Sequence, residues 1–260
     1  MNVIKAVWKA YPLAALLRNK HGMIPLSHAA SVGSTTDVFS FILEKSYMLS
    51  PEAVKILMDP SLTNIPLEVM RDNVFARLDD PLIYTNQYGW TVLHILLLKG
   101  APIEQIKMFV RAAPSTVRIV SENGELPIHF ACLYGADDKL IRHLIDIFPE
   151  SMSVQDNVGN TILHLACWSG SSVSIVNFLY RRATIPSNSL ISPNRNGDTP
   201  LHLGCSRAFP LLGVIRLLIK CDKNKSSLSS RNNRGLTPLD YALEYHRLNS
   251  DLIELLSEGT

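Results

Sequence analysis

Charged side chains are scarce in this sequence, and neither sign dominates. They make up 18% of the 260 residues, whereas hydrophobic residues make up 47%. Disordered chains have the opposite balance, so this composition indicates a folded protein with a substantial core. The formal net charge of only +2 gives no sign of a nucleic-acid partner or a membrane surface.

Long hydrophobic runs are also missing. The most apolar stretch, residues 92–98, ends at Lys99 and is far too short for a membrane span. Lys5 and Lys9 interrupt any secretory leader, so the four cysteines indicate free thiols in a reducing compartment. We therefore expect a cytoplasmic protein without membrane insertion, with a nuclear location also compatible. The first 36 residues lack acids, which makes an organelle transit peptide the alternative.

The signatures of common enzyme active sites are absent. The sequence contains no G-x-G, G-x-x-x-x-G-K, G-x-S-x-G, H-E-x-x-H or C-x-x-C. It therefore lacks the phosphate-binding loops, the nucleophile turn and the paired metal ligands that these motifs encode. We predict a non-catalytic protein with no catalytic residue and no cofactor.

Glycine spacing reveals the organisation of the chain. Eight of the 13 glycines form four pairs whose members are 11 residues apart, namely Gly22/Gly33, Gly89/Gly100, Gly124/Gly135 and Gly159/Gly170. Gly197 and Gly235 continue the series, with successive intervals of 35, 35, 38 and 38 residues from Gly89. A period of this size is typical of stacked supersecondary units.

Alignment on these glycines shows one recurring phrase. It reads GWTVLHILLLKG from Gly89, GELPIHFACLYG from Gly124, GNTILHLACWSG from Gly159 and GDTPLHLGCSRA from Gly197, with more divergent copies at Gly22 and Gly235. The phrase resembles the G-x-T-P-L-H-x-A signature of the ankyrin repeat. The resemblance implies an all-α fold, an ankyrin-repeat solenoid of stacked helix-turn-helix units with short β-turn or hairpin fingers. It also implies a scaffold or protein–protein interaction module.

The residues of each copy have physical reasons to form such a unit. An Asn, Asp or Ser three residues before the glycine suits a turn, because its side chain bonds the backbone. Proline suits the first turn of a short inner helix. An outer helix follows with apolar residues three and four apart, as at Leu140, Ile141, Leu144 and Ile145. Such a unit buries its apolar face only by stacking on the next copy.

The copies divide the chain, taken as a single domain, into repeats. We expect a half repeat at 1–18 and full repeats at 19–50, 86–120, 121–155, 156–193, 194–231 and 232–260. Residues 51–85 are irregular and lack the turn glycine, so we interpret them as a degenerate repeat with an insertion. End repeats need a polar outer face. Acidic residues supply one at the C-terminal end but not at the start, so we expect an upstream portion.

Three H-x-x-C pairs are the strongest metal-site candidates: His129/Cys132, His164/Cys167 and His202/Cys205. Residues three apart share a helix face, and His with Cys is a good zinc pair. However, Leu or Ala fills the cysteine position in other copies, which is typical of packing. Adjacent copies also lie about 10 Å apart, too far to share one ion. We predict packing and no metal, and a zinc content near one per chain would contradict this. The ankyrin resemblance implies that His94, His129, His164 and His202 bond between adjacent turns.

A basic cluster lies between Arg216 and Arg234. It has one acid, Asp222, and six bases, for a local net charge of +5: Arg216, Lys220, Lys223, Lys225, Arg231 and Arg234. One interpretation is a site for an acidic or nucleic-acid partner, and the other is a solvated loop between repeats. The cluster has no interleaved aromatic residues that could stack on bases, which favours the loop.

The ankyrin resemblance also implies where a protein partner binds, namely at the turn tips and the ends of the inner helices. The corresponding positions here are Tyr88, Trp90, Leu98, Lys99, Glu125, Leu133, Tyr134, Asn160, Trp168, Ser169, Asp198 and Arg207. Four of them are aromatic and predict an exposed row over three repeats. The alternative is that Trp90 or Trp168 packs into the core.

Two functional hypotheses follow. The first is a monomeric, non-catalytic module that binds one protein partner. The second is a targeting or regulatory region of a larger enzyme or complex, such as a kinase, ubiquitin ligase or transporter, since such solenoids accompany these classes.

Overall fold

A computed structural model describes residues 2–10, 19–21, 23–47, 85–183, 186–246 and 249–258. The chain forms two compact units, Met1–Glu122 and Asn123–Thr260. Within each unit, consecutive helices pack against one another in pairs. The described residues contain helices and turns but no strand, which confirms the predicted all-α class.

The described residues of unit 1 form the α-helices α1 (Asn2–Ala10), α2 (Pro25–Ser31), α3 (Thr36–Tyr47), α4 (Val92–Leu98) and α5 (Ile103–Ala112). A 3-10 turn at Pro114–Arg118 follows α5. Unit 2 contains α6 (Pro127–Leu133), α7 (Asp138–Ile147), α8 (Ile162–Ser169), α9 (Val173–Arg182), α10 (Pro186–Ile191), α11 (Pro200–Ser206), α12 (Leu212–Cys221), α13 (Ser226–Ser229), α14 (Pro238–Tyr245) and α15 (Ser250–Glu258). A 3-10 turn at Pro149–Ser153 follows α7.

The inner helices begin and end where the sequence predicts. Proline occupies the first position of α6, α11 and α14, where its missing N–H has no partner to lose. Helix α8 ends at Gly170, whose φ of +82° is left-handed and therefore costs glycine little. At the other end of this copy, a Cβ on Gly159 would lie 2.8 Å from the Arg195 backbone nitrogen. Glycine is required there because the neighbouring turn approaches so closely.

The turns before the inner helices form the predicted short fingers. Gly159 N–H donates to Asp156 O within one finger, at 2.9 Å. Adjacent fingers of unit 2 are joined by single backbone bonds, such as Arg195 N–H to Val158 O at 2.8 Å. In unit 1, Glu122 N–H donates to Tyr88 O at 3.0 Å. The fingers are therefore β-turns that bond side by side.

In unit 2 the pairs stack in sequence order. The inner helices α6, α8, α11 and α14 pack in one row, and the outer helices α7, α9, α12 and α15 pack in a second row. Helix α10 packs against α9 and α11. The apolar positions predicted on α7, from Leu140 to Ile145, are buried. Stacking is thus what gives each amphipathic helix a partner surface.

In unit 1, helix α2 packs against α4, and α3 packs against α5. Gln105 on α5 is buried and donates to Ser34 O at 3.1 Å, which ties the two pairs together. The two pairs are therefore neighbours, although residues 48–91 separate them along the chain. Lys5 of α1 lies 5.9 Å from the Phe41 ring centre on α3.

Part of the predicted division falls outside the described residues. This applies to Gly22, to residues 11–18 of the half repeat and to residues 51–84 of the degenerate repeat with an insertion. The repeat boundaries stay predictions. Among the helices of the described ranges, none is long and apolar enough to cross a membrane.

Truncation of a buried leucine should destabilise unit 2. Leu163 is buried on α8, so Leu163→Ala should lower the free energy of unfolding by about 2–5 kcal/mol, through lost apolar contact and the cavity left behind. Urea unfolding measures the loss. Leu243→Ala is the matched control, because Leu243 is 41% exposed on α14, and it should change stability by less than about 0.5 kcal/mol. Equal losses in the two variants would contradict the packing described here.

Candidate functional site

A buried histidine lies near the start of each of the helices α4, α6, α8 and α11. On α8, His164 Nδ1 accepts the backbone N–H of Thr161 at 3.2 Å and lies 2.9 Å from the Thr161 hydroxyl. Its Nε2 faces Asp198 O of the next finger at 3.2 Å and donates to it. Both ring nitrogens are therefore used, and only the neutral Nε2–H form of the ring can make these bonds.

The same arrangement recurs at His202, whose Nε2 donates to Leu236 O of the next finger at 3.0 Å. His129 Nε2 instead donates to Val154 O at 3.2 Å, just before the next finger. In unit 1, His94 Nδ1 accepts the backbone N–H of Thr91 at 3.1 Å. These four rings are fully buried. The bonds between adjacent turns of unit 2 confirm the role that the ankyrin resemblance implies for its histidines.

Burial sets the protonation of these rings. It lowers the pKa of His164 to about 4, against smaller opposing effects of hydrogen bonds to the backbone and of nearby acids. It also lowers the pKa of His129 and of His202. The three rings of unit 2 are therefore neutral at pH 7, as their hydrogen bonds require.

The cysteines of the H-x-x-C pairs are also buried and protonated. Burial raises the pKa of Cys132 and of Cys205 to about 12, and it raises that of Cys167 as well. A thiol binds zinc as the thiolate, which these surroundings disfavour. The described part of the chain holds no cluster of three potential ligands for a metal ion. Protonated thiols and fully bonded rings together support the packing interpretation.

The finger side chains form a second ladder. Asn194 Nδ2 donates to Asn160 Oδ1 at 2.9 Å. In the next step, Asn232 Nδ2 and the Tyr241 hydroxyl both donate to Asp198 Oδ1 at 2.8 Å. Asp198, predicted as a partner-binding residue, is only 4% exposed. Its carboxylate joins two repeats, so it offers almost no surface to a partner.

In unit 1 the predicted aromatic pair lies together. Tyr88 is exposed and Trp90 is half-buried, with ring centres 5.1 Å apart. Lys99 is exposed at the end of α4, and Leu98 is half-buried.

In unit 2 the two predicted aromatic anchors are accessible. Trp168 in the last turn of α8 is 47% exposed, and Tyr134 after α6 is 48% exposed. The Tyr134 ring contacts that of Phe130 in a tilted arrangement, with ring centres 5.6 Å apart. Helix α6 packs against α8, and each of the two residues lies at the C-terminal end of its helix, although Trp168 aligns with Leu133 and Tyr134 with Ser169 in the repeat. The other predicted residues of this unit that are half-buried are Glu125, Leu133, Asn160, Ser169 and Arg207.

Arg207 has a role that the sequence does not reveal. Its Nε donates to Trp168 O at 3.1 Å, its Nη2 to Ser169 O at 3.0 Å and its Nη1 to Phe209 O at 2.5 Å. The guanidinium thus caps the C-terminal end of α8 and holds the Phe209 backbone beside it. In this copy Ala208 stands where most copies have the second glycine.

Two further aromatic residues complete the set. Phe209 is 81% exposed, and Tyr245 at the end of α14 is about half exposed. We define the aromatic surface as Tyr134, Trp168, Phe209 and Tyr245. Phe209 was missed because it follows a departure from the repeat phrase, where alignment offers no signal. Tyr245 does fall at a variable position of its copy.

Comparison with known families agrees with this geometry. Residues 93–189 match the family model of ankyrin repeats, which describes three copies. No curated protein matches the chain. The copies at Gly197 and Gly235 lie beyond the matched residues, but the bond from His202 to Leu236 O continues the same arrangement.

Acid should destabilise the protein through the histidine ladder. The folded pKa of His164, about 4, lies below the unfolded value of about 6.5, so only the unfolded state takes up the proton between them. The stabilising contribution is complete above pH 6.5 and is lost as the pH falls towards 4. Within this window, one such histidine changes the free energy of unfolding by about 1.4 kcal/mol per pH unit.

Urea unfolding between pH 7 and pH 4.5 measures this dependence. His164→Gln should reduce its slope, because an amide can donate and accept but does not titrate in this range. His21→Gln, at an exposed position, should keep the wild-type slope. If the free energy of unfolding falls equally steeply with pH in both variants, the histidine ladder is not the source of the acid sensitivity.

Proposed function

The chain is an ankyrin-repeat protein, and from this premise we propose that it is a non-catalytic module that binds a protein partner through the aromatic surface of unit 2. Ankyrin repeats generally act as protein–protein interaction modules. The observation that carries the proposal is the pair Tyr134 and Trp168, two half-exposed rings at the C-terminal ends of two helices that pack against each other.

The chemistry of these side chains suits a binding surface. Tyrosine and tryptophan carry large apolar areas together with a polar group, and they dominate the energetics of interfaces. Arg207 bonds the Trp168 carbonyl, so the backbone that presents this ring is held before a partner arrives. Preorganisation of this kind reduces the ordering cost of binding.

Residues around the rings would set specificity. Leu133, Ser169, Glu125 and Asn160 are half-buried beside the inner-helix ends or on the fingers, and we assign them to the rim of the interface. In unit 1, the exposed residues Tyr88 and Lys99, with Trp90 and Leu98, form a corresponding surface of their own. Asp198 is left out because it is buried in the finger ladder.

The described residues favour a binding module over an enzyme. The buried histidines are neutral and fully bonded, and the buried thiols are protonated, so neither group supplies an activated nucleophile or base. We propose a monomer in a reducing, cytoplasmic compartment. The four cysteines are free, which supports that location.

Removal of both anchors should abolish capture of the partner without harming the fold. Each interface ring of this type contributes about 2 kcal/mol or more, so Tyr134→Ala with Trp168→Ala should weaken binding at least about 100-fold. Affinity capture with wild type and the double variant identifies the protein that is lost, and titration with the purified partner measures the change.

Val3→Ala with Val120→Ala is the control. Both valines are exposed and lie outside the aromatic surface, so this variant should retain the partner. Circular dichroism should show similar thermal midpoints for all three proteins. Undiminished binding by the folded Tyr134/Trp168 variant would refute the assignment of this surface.

A further inference from the structure

Basic side chains gather where two outer helices of unit 2 end, and the proposed function uses none of them. We define the basic surface as Arg181 of α9, Arg216 and Lys220 of α12, and Lys223 and Lys225 of the loop after α12. All five side chains are exposed. Arg216 and the three lysines belong to the basic cluster that is visible in the sequence, whereas Arg181 comes from the preceding repeat.

Packing of α9 against α12 brings these charges together. The Tyr180 hydroxyl donates to Cys221 O at 3.3 Å and joins the ends of the two helices. Burial raises the pKa of Cys221, while Arg181 and Lys220 both act to lower it, so both cations lie within electrostatic reach of the same thiol. Arg216 and Lys220 are four residues apart and share one face of α12.

These five charges lack partners of opposite sign. Within the described ranges, none of them forms an ion pair with a carboxylate. The neighbouring Arg182, by contrast, pairs with Asp146 at 3.1 Å. The acid within the cluster, Asp222, accepts the backbone N–H of Ser227 and so serves the start of α13. The surface therefore carries an uncompensated positive potential in a chain whose net charge is only +2.

We propose that the basic surface binds an acidic, Asp- or Glu-rich segment of a protein partner. This inference goes beyond the proposed function, because the residues and the forces involved are different. Two cations from α12, one from α9 and two from the loop present several donors to closely spaced carboxylates.

A nucleic acid fits this surface less well. Single strands need aromatic rings on which bases stack, and the ring beside Arg181, that of Tyr180, is half-buried and bonded through its hydroxyl. Duplex binding needs a longer row of phosphate contacts and a strongly basic domain. The sequence alone favours a solvated loop here. The contribution of Arg181, together with the lack of an ion pair at any of the five cations within the described residues, favours an acidic partner.

The experiment uses the full chain and a fluorescent peptide of about ten glutamates as the probe. Fluorescence anisotropy at low salt, about 50 mM, should detect binding that weakens steeply towards about 500 mM, because screening removes the attraction. Lys220→Glu, Lys223→Glu and Lys225→Glu together should weaken binding at least about tenfold.

The matched control reverses three other exposed charges, with Lys20→Glu, Arg111→Glu and Lys139→Glu, and should bind within about twofold of wild type. Circular dichroism checks each fold, and if the first triple variant does not fold, the corresponding Lys→Gln variant replaces it. The proposal would be overturned if the basic-surface variant and the control variant lost the same affinity for the peptide, or if that affinity did not change with salt. It would also be overturned if the protein bound an equally charged duplex DNA or phosphatidylserine vesicles more tightly than the peptide. The Tyr134/Trp168 variant should bind the peptide like wild type, so the two proposals fail separately.

Discussion

In helices α8 and α11 of unit 2, a neutral imidazole near the start of the helix performs two tasks. One nitrogen accepts from the residue before the helix, and the other donates to a backbone carbonyl of the next repeat. A protonated ring has no acceptor nitrogen, so a second proton would place two donors face to face. The ladder therefore couples helix capping, repeat stacking and protonation in a single side chain, and burial keeps the ring in the required form.

This constraint also explains why so much polar chemistry in the chain is not available for catalysis. The histidines are committed on both sides, the cysteines fill gaps between packed helices, and Asp198 links two fingers together with Asn232 and Tyr241. Buried polar groups whose hydrogen bonds are all made inside a fold stabilise it. The proposed binding residues Tyr134 and Trp168 lie instead where the repeat sequence varies between copies.

The two accessible surfaces of unit 2 would bind through different physical interactions. Around Trp168 the surface is aromatic and its backbone is fixed by Arg207. Where α9 and α12 end, the surface is cationic, exposed and without paired acids. Aromatic contacts provide affinity at short range, whereas charge steers encounter and depends on salt. A partner with an apolar segment and an acidic segment would contact both surfaces. Its affinity would increase because the two contacts are linked in one molecule, not because either contact is stronger by itself.

The sequence by itself determined the repeat unit. Its period, its turn glycines and its histidines follow from local rules, because a turn needs a small residue at positive φ and a short helix needs a cap. The ankyrin resemblance implied that Tyr134 and Trp168 are accessible, and the exchange of Cys for Leu or Ala between copies predicted that the H-x-x-C cysteines pack in the core. Only the tertiary structure decided what depends on contacts between copies. It buried Asp198 in a ladder, exposed Phe209 at a break in the pattern and made Arg207 a cap for its neighbour. It also added Arg181 to a cluster that is more than 30 residues away along the chain. Residues in separate repeats meet only through stacking, and a one-dimensional pattern records the period of the stack but not which side chains meet across it.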